Sequence, residues 1–395
     1  MIDRHISKFI EREMNSFPSV TLFGPRQCGK TTLARSMYPD YSYANLEDMN
    51  IRRLAIEDPD EFFVRFPEPV IIDEIQRVPE LLATVQVRID NNHKSAQYLI
   101  TGSQQVPLKN AVSQSLAGRT AVVEMLPLSI FELKDSGIVF DRDTQIITGG
   151  MPYLFAEKGR VPSDYYRSYI STYIERDVAG QNQVHDLNRF MRFMTLLAGR
   201  IGQLVNDSAL ASDVGVSSTT IGSWISILEA SHLIYRLKPW YSFRTSQIVK
   251  TSKIYFCDTG IAANLLGIET PQQVARDPLL GNLFENLVVT EALKAVQSSG
   301  AMDNLYFFRN SNGVEVDLIQ KKESGLELYE IKSGKALDKD YLKNMKSFCN
   351  KYGECPSSVI YSGDSFPSFN GSSFYNFHEI YSLFEKKDDV FRIEF

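Results

Sequence analysis

Residues Ser19–Leu33 read SVTLFGPRQCGKTTL, and no other stretch restricts the fold as strongly. A short apolar run (Val20, Leu22, Phe23) leads into Gly24. Pro25, Arg26, Gln27 and Cys28 follow, and then Gly29-Lys30-Thr31-Thr32 opens a helix-like segment. The spacing is G-x-x-x-x-G-K-[ST] in a strand–loop–helix context, in which glycines let successive backbone N–H groups curl around phosphate oxygens. Lys30 would reach the β- and γ-phosphates, and the Thr31 hydroxyl would hold Mg²⁺. The N-terminus of the following helix favours the anion.

A phosphate loop becomes a hydrolytic site when a second strand brings carboxylates opposite it. Pro69–Gln76 (PVIIDEIQ) is a continuous apolar run ending in two acids, as expected of a buried parallel strand delivering residues to a ligand crevice. Asp73 would hold Mg²⁺ through water, and Glu74 would orient and deprotonate the attacking water. A further buried run, Gln97–Ser103 (QYLITGS), ends where Ser103 or Gln104 would sense the γ-phosphate. Arg119, after Gly118, is either a surface charge or an arginine that stabilises transition-state charge on a neighbouring copy's nucleotide.

Composition sets the outer limits. At 395 residues the chain has room for two or three domains, and its formal charge of −6 gives no global pull toward nucleic acid. The four cysteines (Cys28, Cys257, Cys349, Cys355) form no C-x-x-C pair. That speaks against a zinc site or a disulfide framework and for a reducing, cytoplasmic setting. No apolar run reaches the ~18 residues of a membrane span.

The strings GPRQCGKTT, VIIDEIQ, YLITGS, LAGR, PLSIFEL, GGMPYL and YIERDVA together resemble the AAA-type predicted ATPases of bacteria and archaea that carry a C-terminal domain of unknown function. The resemblance covers nearly the whole chain. It implies an α/β P-loop NTPase fold of the ASCE type with a parallel sheet, ATP and Mg²⁺ as ligands, and an active site that a neighbouring copy often completes. Cys28 departs from the small aliphatic residue the resemblance leads one to expect in the loop.

Gly149-Gly150 punctuates the chain, so the P-loop domain is placed at 1–150. The segment 151–245 reads as helical with a winged helix: helices near Asn188–Leu197, Asp207–Asp213 and Ser217–Glu229, then a wing strand at Leu233–Leu237. Arg176-Asp177 upstream reads as an internal ion pair or a contact to nucleotide across a boundary. A winged helix suggests DNA. Yet no Lys or Arg lies between Gln203 and His232, and affinity for duplex comes mainly from such side chains. The basic residues are flanking: Arg189, Arg192, Arg200, Arg236, Lys238 and Arg244. The charge favours a packing or protein-interaction module over a sequence reader.

The segment 246–395 alternates strands and helices in an α/β/α pattern. A helix over Gly281–Ala295 carries Glu285, a strand over Val314–Gln320 carries Asp317, and a strand over Leu326–Ser333 carries Glu330 and Lys332. Side chains alternate along a strand, so Glu330 and Lys332 share a face. This ordered helix-Glu, strand-Asp, strand-E-x-K series looks like the PD-(D/E)xK nucleases. It implies Mg²⁺ between Asp317 and Glu330 and a lysine that activates water. Glu315, two residues before Asp317, would share its face and compete as ligand. Two readings follow: an ATPase coupled to a nucleic-acid-acting nuclease-like domain, or a nucleotide-dependent switch that binds DNA or a protein without cutting. Either would operate as a possible homo-oligomer and off the membrane.

Overall fold

The computed structural model describes residues 2–103, 106–173, 184, 186–241 and 251–385. Gln104, Arg176, Asp177 and Arg244 lie outside the described residues. The chain divides into two compact units, one of Met1–Leu128, Met151–Ala156 and Ile225–Leu233, the other of Ser129–Gly150, Glu157–Trp224 and Ile234–Phe395.

The first unit is a P-loop NTPase fold. Its five-stranded sheet contains β1 (Ser19–Gly24), β2 (Ser42–Asn45), β3 (Val70–Asp73), β4 (Tyr98–Ser103) and β5 (Thr120–Glu124) in the order β2-β3-β4-β1-β5. Every neighbouring pair is parallel. β1, β3 and β4 are buried along their whole length, as their unbroken apolar runs require when both sheet faces are covered. Phe23, Ile72 and Ile100 pack on one face, and Val20, Leu22, Ile71 and Leu99 on the other. Residues 48–63, where charged and apolar residues alternate at helical spacing, form two helices, Met49–Glu57 and Pro59–Arg65. Asp58 ends the first and caps the second, accepting from Glu61 N at 2.9 Å, with Pro59 in the first turn.

The second unit is built on an eight-stranded mixed sheet. Its strands are β6 (Ile234–Pro239), β7 (Lys253–Phe256), β8 (Leu305–Arg309), β9 (Glu315–Lys322), β10 (Gly325–Lys332), β11 (Ser357–Tyr361), β12 (Phe366–Phe369) and β13 (Ser372–Asn376). They are ordered β12-β13-β11-β10-β9-β8-β6-β7. The long helix Leu280–Ser298 packs on this sheet and is buried on most of its circumference, Asn286 and Thr290 included.

Helices Leu187–Ala198, Asp207–Val214 and Ser218–Ala230 lie where three helices were expected. Ser217 accepts from Thr220 N at 3.0 Å at the start of the third, and Trp224 packs 5.2 Å and 5.4 Å from the rings of Phe190 and Phe193. The strand expected at Leu233–Leu237 is β6. β6 pairs antiparallel with β7 and parallel with β8, so it is an inner strand with both edges hydrogen-bonded. Ile234, Leu237 and Pro239 are buried there. Consequently the boundary expected at 245/246 falls between two strands that pair in one sheet.

Candidate active site

The phosphate loop joins β1 to the helix Lys30–Met37, whose first residue follows Gly29 at φ +99°. That left-handed conformation admits glycine far more readily than other residues. A Cβ on Gly24 would stand 2.1 Å from the Met125 carbonyl oxygen, so the loop's first position also excludes a side chain. Lys30 is buried, and its Nζ donates to the carbonyls of Gly24 (2.9 Å) and Pro25 (2.7 Å). The ammonium is thus held over the loop by its own backbone. Cys28 is buried beneath it, its Sγ 3.5 Å from Met125 O.

Asp73 ends β3 and gathers three hydroxyls. Thr31 Oγ1 donates at 3.0 Å and 3.1 Å, Tyr43 donates at 2.8 Å from β2, and Thr101 donates from β4. Burial first, and then the hydrogen bond to Asp73, push the Tyr43 hydroxyl well above its ordinary pKa, so it remains a donor. Thr31 and Asp73 offer hard oxygen donors on adjoining strand and helix ends. With nucleotide phosphates and water they fit Mg²⁺. Glu74 follows at φ +62°, and its carboxylate accepts from Gln76 Nε2. Ser103 is buried at the end of β4, in register with Gly24. The elements therefore bring Gly24, Lys30, Thr31, Asp73, Glu74 and Ser103 to one end of the sheet.

Arg119 is at the other end. Its guanidinium pairs with Asp90 at 2.6 Å and 2.9 Å, and its carbonyl accepts from Ser19 N, the first residue of β1. The length of β1, roughly 16 Å at ~3.3 Å per residue, separates it from the loop. It does not reach the phosphate site of its own chain.

Three contributors escaped the sequence reading. Tyr43 and Thr101 complete the shell of Asp73. Arg4 ties the loop down, donating to Cys28 O at 2.9 Å and Leu126 O at 2.6 Å. The first two stand on strands whose ends could have been searched for hydroxyls. Arg4 gave no signal, because its partners are 24 and 122 residues away.

In the second unit, Glu285, Asp317, Glu330 and Lys332 do converge. Lys332 Nζ is 2.6 Å from Glu330 Oε1 and 3.7 Å from Asp317 Oδ2, and Asp317 Oδ2 also accepts from Ile331 N at 2.9 Å. Glu315 is not a free rival of Asp317. It pairs with Lys253 at 2.6 Å and with Arg309 at 3.3 Å. Burial above all, then the negative charge of Asp317, raises the Glu330 carboxyl to about 8. Burial likewise raises Glu285, against the pull of Lys253.

Comparison with known proteins places these observations. An AAA domain model matches residues 16–134. Two domains of unknown function, DUF8612 and DUF4143, match 140–272 and 280–380. Uncharacterized protein Rv2008c of Mycobacterium tuberculosis is 32% identical over 327 residues, covering 82% of this chain and 72% of the relative. Uncharacterized protein Mb2031c of Mycobacterium bovis shows the same figures. The chain belongs to their family. Its N-terminal part is an AAA domain on a P-loop fold, the core of a nucleotide-binding ATPase. An uncharacterized protein of Haemophilus influenzae is 24% identical over 328 residues, covering 74% of this chain and 78% of the relative. Among solved structures, the Walker-type ATPase PABY2304 of Pyrococcus abyssi aligns at 15% identity with a TM-score of 0.45, covering 67% of this chain and 96% of the other. Among the described residues, no helix is long and apolar enough to cross a membrane.

Proposed function

We propose that this family member is a Mg²⁺-dependent ATP hydrolase whose nucleotide state controls a nuclease-like C-terminal module acting on nucleic acid. The observation that carries the first half is the contact of Thr31 with Asp73 beside the loop-bound Lys30. Bound Mg²⁺ would supply charge neutralisation to the β- and γ-phosphates. Backbone N–H groups of Arg26, Gln27, Cys28, Gly29 and Thr32 would cradle the phosphates, with Pro25, which has no N–H, shaping the entry to the loop. Lys30 would exchange its two carbonyl partners for phosphate oxygens. Thr31 and Asp73 would hold the cation, Glu74 would take the proton from the attacking water, and Ser103 would face the γ-phosphate. Arg119 would act only on a neighbour's nucleotide, in a homo-oligomer. The free thiols suit the cytoplasm. ATP turnover measured with and without DNA tests the proposal. Turnover that persists in Lys30→Ala and Glu74→Gln would overturn it.

For the output, a second reading has an observation in its favour: a module that binds without cutting. Every acid of the nuclease-like series is engaged by a lysine, directly or through its neighbour. We assign 1–150 to the nucleotide, 151–245 to coupling and 246–395 to output, with β6 lent by the middle segment to the last. The three-helix portion is a poor duplex reader. Arg189 is taken by Asp186 and the Gly215 carbonyl, and Arg200 by Asp213.

A further inference from the structure

Lys253 opens β7 and had no place in the series of acids read from the sequence. Its side chain is 1% exposed, with Nζ 2.8 Å from Glu285 Oε1 and 2.6 Å from Glu315 Oε1. Tyr255, on the same face of β7, donates to that same Glu285 oxygen at 2.6 Å. The ammonium also lies 5.4 Å from the centre of the Phe307 ring. An ammonium loses several kcal/mol on leaving water, and only close carboxylates restore it. Lys253 therefore cannot be removed from this centre cheaply, nor can the centre lose it without stranding two acids. Glu330 Oε2 has no partner among the described residues, but a divalent ion there would still need further oxygens, and those of Glu285 and Asp317 lie against Lys253 and Lys332, so it would stand next to two positive charges. Among the described residues, no three His, Cys, Asp or Glu side chains are arranged to hold a metal ion. The residues present do not fit the metal of a nuclease.

We propose that the Lys253 ammonium is the resident cation of this carboxylate centre, holding Glu285 and Glu315 together in place of a divalent metal. As a result the centre takes up no metal and cleaves no phosphodiester. The inference rests on the nuclease-like reading of the C-terminal module, and it decides between the two outputs in favour of binding. Its test is Mn²⁺ titration of the full chain followed by electron paramagnetic resonance, without nucleotide and with Asp73→Asn to silence the phosphate site. With Lys253 intact, no stoichiometric Mn²⁺ is taken up. Adding Lys253→Ala creates one Mn²⁺ site, and a further Glu285→Gln abolishes it. Stoichiometric Mn²⁺ on the chain with Lys253 intact, lost in Asp317→Asn, would overturn the role of Lys253 while supporting the nuclease-like reading. Uptake by neither chain, with the Lys253→Ala protein folded, would overturn both. If that variant does not fold, the titration of the chain with Lys253 intact decides alone. Plasmid nicking by wild type that depends on Asp317 would count against the proposal in any case.

Discussion

Glu330 offers a quantitative check on the C-terminal centre. Its carboxyl is buried on β10 beside Asp317, with Lys332 on Oε1 and no partner on Oε2 among the described residues. Burial first, then like charge from Asp317, moves it from an ordinary 4.5 to about 8. A group raised on folding favours the folded state when protonated. Its contribution is complete below the unfolded pKa and is lost as pH climbs through the folded one. The interval between 4.5 and about 8, at 1.36 kcal/mol per pH unit, sets a ceiling of about 5 kcal/mol. Glu330→Gln keeps the shape and an acceptor for Lys332 but cannot titrate. Both tryptophans, Trp224 and Trp240, belong to the second unit, so their fluorescence in urea follows that unit. The stability of wild type relative to Glu330→Gln should fall by up to about 5 kcal/mol between about pH 4.5 and about pH 8.5, then level off. A difference that stays flat, or that rises with pH, would show Glu330 ionised in the folded protein and refute the reasoning.

Three further outcomes follow from the first unit. Glu74→Gln should retain ATP, measured by fluorescent-nucleotide binding, while phosphate release falls at least about a hundredfold. Gly24→Ala forces a methyl into the Met125 carbonyl and should cost about 3 kcal/mol or more, visible as a lower Tm. Arg119→Ala should leave the Tm nearly unchanged, because its pair with Asp90 is solvent-screened, and leave turnover of dilute, monomeric chain unchanged. A loss confined to concentrations where the chain self-associates would give it a role on a neighbour's nucleotide.

Local chemistry made the nucleotide side legible. The loop glycines and the acids ending β3 each announce their structure within a few residues, whereas the proline after Asp58, which splits the helical stretch 48–63 in two, escaped the sequence reading. What stayed hidden depends on pairing across long separations. Arg4 is invisible because nothing near it in sequence hints at the loop. Lys253 reads as a charge at a strand edge until β7 is seen beside the helix carrying Glu285. The series Glu285, Asp317, Glu330 and Lys332 did converge as its order implied. The order alone gave no hint that another lysine would stand among the acids. The inner place of β6 has the same origin, since the alternation in Ile234–Leu237 does not tell whether one edge of a strand is covered or both.

The position of β6 limits how this chain can be cut. A fragment beginning at residue 246 would lack the strand that covers β7 on one side and β8 on the other, exposing two rows of unpaired amides and the Trp240 side of the core. Such a fragment is expected to aggregate, whatever its activity. A cut upstream of Ile234 retains the sheet. Heredity follows the same line: a recombination joint at 245 would separate partners that only fold together, so β6 must travel with the sequence after it, not with the helices before it.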